Sequence, residues 1–134
     1  MNWSYYNSNP KGFIIDDCVV RAIALGLSKD YYLVLQELTN YAIQNKLGML
    51  IEYEKVFGGY LDEYGERITV GKIGRRKARV ADLSNILDPD ATYIVLVGSS
   101  NSTTHLTCIK SYEVLDTWDC RDEIVRSVWE VKDV

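Results

Sequence analysis

No apolar stretch in this sequence approaches the roughly 18 residues that a membrane-crossing helix needs, so no such span is expected. The opening residues, Met1 to Tyr6, show no charged segment leading into an apolar run, and no signal peptide is expected there. Basic excess is also missing. Nineteen acidic residues against 15 basic ones give a net charge of −4, which argues against a nucleic-acid partner. Cysteine occurs three times, an odd number that cannot pair completely within the chain. With no signal peptide, the expectation is free thiols in a reducing cytoplasm. No CxxC or HxxxH spacing occurs, so little supports a metal site from Cys18, His105, Cys108 and Cys120, and no metal or cofactor is expected. Internal repeats, low-complexity tracts and linkers are absent, and residues 1–134 read as one domain.

What is present suits a globular core. Hydrophobic residues make up 47% of the chain, and ten tyrosines with three tryptophans imply several half-buried, half-wet positions. Residues 1–12 read as an irregular lead-in. The run from Val19 to Leu27 is apolar apart from Arg21 and predicts a buried helix starting near Cys18, with Asp16 and Asp17 where an N-cap belongs. Ser28 can cap a second helix, about 30–45, whose Tyr31, Val34, Leu35, Leu38, Tyr41 and Ala42 repeat at helical spacing. A third is expected over about 52–64, broken or ended around Gly58 and Gly59, and a short one over about 81–87. The basic run Arg75, Arg76, Lys77 and Arg79 reads as a solvated loop or strand edge, or more sharply as a patch for an anionic partner. Strands are expected near 67–70 and over 92–97, 104–109, 112–117 and 124–131. Helices first and strands last predict an α+β fold, N-terminal helices packed on a C-terminal antiparallel sheet of about four strands.

His105, the only histidine, opens a strand directly after a polar loop. With the turn of the 104–117 hairpin centred between Lys110 and Ser111, His105 faces Asp116, and opposed Cβ atoms lie about 4.5–5.5 Å apart. A carboxylate there can hold one imidazole nitrogen and leave the other free as a base. A slip of one residue would send Asp116 to the other face. Cys18 is the matching nucleophile, because a helix N-terminus favours a thiolate and supplies N–H groups to an oxyanion. Neighbouring Asp16 and Asp17 oppose a thiolate, so activation is expected to depend on His105. Cys108 falls on the face opposite His105 and reads as a small core residue, and Cys120 reads as a loop thiol. Trp118 and Trp129 read as structural.

The segment from Asp16 to Leu38, with Asp17-Cys18-Val19-Val20-Arg21-Ala22-Ile23 at its centre, resembles the nucleophile helix and second helix of small papain-like cysteine peptidases of phages and other bacterial mobile elements. The later segments Tyr93–Val97, His105-Leu106-Thr107-Cys108-Ile109, Asp116-Thr117-Trp118-Asp119 and Val125–Trp129 resemble the strands and the D-T-W-D turn of the same family, in the same order. Residues 46–90 add nothing to the likeness. The resemblance implies a papain-like fold and a thiol hydrolase of amide or isopeptide bonds, acting on a protein or peptide substrate in the cytoplasm of the bacterial host. It makes Cys18 the nucleophile, His105 the base and Asp116 the orienting carboxylate. Papain-like enzymes usually place a Gln shortly before the nucleophile as an oxyanion donor. Residues 12–17 contain no amide side chain, leaving Asn7 or Asn9 as substitutes. The alternative is an inactive papain-like fold that binds and blocks a host factor.

Overall fold

The computed structural model describes residues 1–99 and 103–132. In chain order they form β1 (Asn2–Tyr5), α1 (Cys18–Leu27), α2 (Tyr31–Gln44), α3 (Glu54–Asp62), β2 (Gly65–Ile68), a 3₁₀ segment (Val80–Asn85), β3 (Thr92–Val97), β4 (His105–Lys110), β5 (Glu113–Asp116) and β6 (Val125–Val131). The architecture is α+β. The sheet differs from the expected one in having six strands rather than about four, in the order β1-β5-β4-β3-β6-β2. It is also mixed, since β1 pairs in parallel with β5 while the other pairings are antiparallel. The lead-in expected to be irregular therefore supplies an edge strand. No helix among the described residues is long and apolar enough to cross a membrane.

Both faces of the sheet are covered, which is why β3, in its middle, is buried at all six positions and shows no alternation. On one face Ile94, Leu96, Leu106 and Trp129 pack against Val20, Ile23 and Leu27 of α1 and against Phe57 and Leu61 of α3. On the other face Val95, Val97, Ile109 and Val128 pack against Val80 and Leu83 of the 3₁₀ segment, with Cys120. Eight of the ten residues of α1 are buried, so its apolar run needs no amphipathic stripe. Gly26 lets α1 approach the sheet closely: a Cβ there would lie 2.8 Å from the Ile94 side chain. Ser28, expected to cap α2, instead closes α1 in a left-handed conformation (φ 54°), and Asp30 caps α2 by accepting from Leu33 N–H.

The β4–β5 hairpin also differs from the expected register. Lys110 pairs with Glu113 and Cys108 with Leu115, so the turn is the two-residue Ser111-Tyr112. Both have positive φ, 52° and 58°, as a turn that matches the twist of its strands requires. The pairing is displaced by two residues from the expected one, which brings Thr107, rather than His105, opposite Asp116. A two-residue displacement preserves the face, so Asp116 stays on the side of the sheet to which His105 points.

Candidate active site

Cys18 is the first residue of α1 and the one cysteine that is not buried. The residue at the N-cap, Asp17, gives no side-chain hydrogen bond to the helix end, so the first N–H groups of α1 are left for another acceptor. The Asp17 carboxylate turns inward. It accepts from Arg21 Nε at 2.6 Å, from Tyr31 OH at 2.7 Å and from Asn9 Nδ2 at 3.1 Å. Of the two acids beside the thiol, one is thus compensated by a buried cation, while Asp16 stays exposed on the rim.

Arg21 reaches in two directions. Its Nη1 also bonds Asp116 Oδ1 at 2.9 Å, tying α1 to the end of β5. Asp116, 2% exposed, has every lone-pair direction used: Thr117 N–H also donates to Oδ1 at 2.7 Å, and Thr107 Oγ1 donates to Oδ2 at 2.6 Å. His105 Nε2 lies 2.6 Å from Oδ2. This contact occupies Nε2 and leaves Nδ1 as the nitrogen available to Cys18. Burial opposes the charged imidazole, but Asp116 and then Cys18 outweigh it and push the His105 pKa up to about 9. Burial would raise the Asp116 pKa, yet the bond to His105 and those from Thr107 and Thr117 bring it below the ordinary carboxylate value.

Cys18 and His105 line one cleft of about 120 Å3 with Val19, Phe57, Leu96 and Leu106 as its apolar floor and Asp16, Glu52 and Thr104 around it. Trp118 packs against the imidazole at a tilt of 56°, ring centroids 4.9 Å apart, while remaining 40% exposed. Neither Asn7 nor Asn9 lines the cleft. Asn7 Nδ2 donates to the Phe13 carbonyl, and Asn9 serves Asp17. Asp119 pairs with Arg121 on the surface, away from His105.

The other expected features fall elsewhere. Cys108 is buried on the helix-facing side, with its sulfur near Gly26. Cys120 is a free thiol in a loop, as expected, but it is fully buried, and burial pushes its pKa up to about 12 despite a hydrogen bond with Thr107. Donor atoms of His105, Asp116 and Cys120 lie within 4.8 Å of one another, but the set does not suit a metal. Two ligands bound tetrahedrally at zinc distances stand about 3.3 Å apart. His105 and Asp116 touch at 2.6 Å, and Arg21 already places a cation on that carboxylate. In the basic run, Arg76 forms a two-pronged pair with Asp82 and Arg79 donates to the Asp122 carbonyl, while Arg75 and Lys77 are exposed.

Sequence reasoning passed over Arg21, Tyr31 and Thr107 as site residues, and it offered Asn9 as an oxyanion donor, whereas Asn9 holds Asp17. Two signals were available. Asp17 and Arg21 stand at the i,i+4 spacing of a helical ion pair, and Thr107 lies two residues after His105, on its face of β4. No family model matches the chain, and no curated protein or solved structure matches it either.

Proposed function

We propose that this protein is a thiol hydrolase, a cysteine peptidase of the small papain-like kind carried by phages and bacterial mobile elements. In this reading it cleaves an amide or isopeptide bond of a protein or peptide substrate in the bacterial cytoplasm, without a cofactor. One observation carries it: the single exposed-side thiol, at the uncapped start of a buried helix, shares a cleft with an imidazole whose far nitrogen is held at 2.6 Å by a buried carboxylate.

The chemistry follows from that order. At neutral pH a His105 of pKa about 9 is an imidazolium, which stabilises a Cys18 thiolate beside it. The sulfur attacks the carbonyl carbon, an S–C bond forms, and the carbonyl π pair moves to oxygen. In this reading the N–H groups at the start of α1, which the Asp17 side chain does not cap, receive that charge. As the intermediate collapses, the C–N bond breaks and His105 gives its Nδ1 proton to the leaving nitrogen. Water then attacks the thioester and His105 Nδ1 takes the water proton. The C–S bond breaks to return thiolate and imidazolium. Asp116 stays ionised throughout and fixes the ring.

Alkylation by iodoacetamide at pH 7, read site by site by mass spectrometry, tests the reading. Cys18 should react about tenfold faster than an ordinary exposed thiol, and His105→Ala should remove most of that advantage. Buried Cys108 and Cys120 should stay unlabelled as internal controls. A Cys18 of ordinary reactivity that ignores His105→Ala would refute it. That result would favour an inactive fold that binds a host factor, a reading suggested by the lack of any side-chain amide among the described residues lining the cleft.

A further inference from the structure

The surroundings of the cleft carry two features that the proposed chemistry does not use. The first is apolar. Phe13, Ile14 and Ile15, the three residues leading into Asp16, are all more than half exposed, Ile14 at 76%. Met49 and Leu50, shortly before Glu52 in the sequence, are similarly bare, Met49 at 70%. Consecutive bulky apolar residues left in water are unusual unless something covers them. They flank in sequence the two rim residues of the cleft itself. The second feature is charge. Asp16 and Glu52 both line the cleft, and neither makes an ion pair or hydrogen bond among the described residues, whereas Asp17, Asp62, Asp82, Asp116 and Asp119 each have a cationic partner. The same cleft is lined by buried Val19, Phe57, Leu96 and Leu106.

An apolar floor under an anionic rim is the complement of one kind of side chain, a hydrocarbon stem that ends in a cation. We infer that the cleft takes a lysine or arginine side chain of a peptide substrate, and that bulky apolar residues of the same peptide cover Phe13–Ile15 and Met49–Leu50. This inference rests on the thiol-hydrolase reading and names the substrate of that site. The stem of the basic residue displaces water from Phe57 and Leu106 while its charge sits between Asp16 and Glu52. The flanking apolar residues bury the exposed run, so the occupant is an extended segment of a protein, rather than a free amine.

Four peptidyl fluoromethyl ketones test it: acetyl-Leu-Leu-Lys, acetyl-Leu-Leu-norleucine, acetyl-Leu-Leu-Glu and acetyl-Gly-Gly-Lys. With each, Cys18 sulfur displaces fluoride and forms a thioether, so the second-order rate constant reads occupancy of the cleft. Exposed ion pairs with two carboxylates predict that the Lys probe outpaces its uncharged isostere by about fivefold to tenfold, with the Glu probe slowest. The preference should shrink in 1 M salt. In Asp16→Asn/Glu52→Gln the Lys-to-norleucine ratio should fall to about one, and this ratio is internal, so any change in thiol reactivity cancels. Ile14→Ser should narrow the advantage of Leu-Leu-Lys over Gly-Gly-Lys. Cys18 that alkylates with iodoacetamide in a His105-dependent way but treats Lys and norleucine probes alike overturns this inference alone. Cys18 inert to both reagents overturns the thiol reading and this one with it.

Discussion

Arg21→Met is the most demanding test of the way the site is held together. The Arg21 side chain is 10% exposed and its guanidinium bridges Asp17 at 2.6 Å and Asp116 at 2.9 Å. Methionine fills much of the same volume, so the change removes charge and donors while leaving little cavity. Two buried carboxylates then lose their cation. Breaking a buried pair by removing one partner costs about 3–5 kcal/mol. The lower end applies here because both acids keep other donors: Tyr31 and Asn9 for Asp17; His105, Thr107 and the Thr117 amide for Asp116. For a chain of this size, about 3 kcal/mol corresponds to a fall in Tm of roughly 10 °C. Arg21→Lys should recover only part of the loss, because an ammonium is a point donor and cannot fork to both acids. The dependence on pH has a defined sign. Asp116 titrates below its ordinary value, so its contribution is present above the unfolded carboxylate pKa and fades as pH falls through the folded one. The gap in Tm between wild type and Arg21→Met should therefore be full at pH 7 and shrink below about pH 4. A thermal melt within about 2 °C of wild type at pH 7 would show that the bridge contributes nothing and refute the argument.

Asp116→Ala should abolish the His105-dependent reactivity of Cys18, whereas Asp119→Ala, which removes only a surface pair with Arg121, should leave it within about twofold; the opposite ranking in an alkylation assay would contradict the His105–Asp116 geometry. The alkaline limit separates two steps: peptide hydrolysis needs a proton from His105 and should fall as pH rises through about 9, while alkylation of the thiolate should not, and parallel curves would rule out His105 as the acid. The same raised pKa means that stability supplied by the imidazolium is complete below the unfolded value and is lost as pH rises through about 9, so wild type should lose more Tm between pH 7 and 10 than His105→Gln does. Trp118, at 40% exposure, should cost about 1–2 kcal/mol on truncation to alanine rather than the 3–5 kcal/mol of a buried Trp, and a melt showing the full buried cost would mean it anchors the core.

The parts of the fold that were legible were those with a local signal. The apolar run of α1 and the β-branched run of β3 declare themselves, because elements covered on all sides need no alternation. β1 gave no such signal. Asn2–Tyr5 has polar residues at half its positions and becomes a strand through parallel pairing with Glu113–Asp116, more than 100 residues away. The hairpin turn was hidden for a chemical reason. Positive φ at both central residues normally calls for Asn-Gly, and Ser111-Tyr112 is a poor advertisement for it. Tyr112 is held there by a bond from its hydroxyl to the Leu87 carbonyl, a tertiary contact. The two-residue error in register was harmless to the site for the same reason that a one-residue error would have been fatal: strand side chains alternate with period two. His105 and Asp116 met on the diagonal rather than face to face, and Thr107 took the opposed place.

Asp16 and Asp17 show where a sequence stops being informative. They are adjacent, chemically alike and equally suited to capping α1, and both look unfavourable to a neighbouring thiolate. The structure gives them different roles. Asp17 turns into the protein and becomes one end of a buried chain running through Arg21 and Asp116 to His105, so its charge helps to hold the imidazole in place. Asp16 stays on the cleft rim. Neither caps the helix, and that carries a cost, since an N-cap side chain usually contributes about 1 kcal/mol. A capping carboxylate would occupy the same N–H groups that an oxyanion requires, and would add a negative charge where the reaction also develops one. A helix that must receive an anion from outside cannot also satisfy itself from within. On the proposed reading the open start of α1 is left for the oxyanion; the start of α3, at Tyr53, likewise has no side-chain cap, whereas Asp30 caps α2.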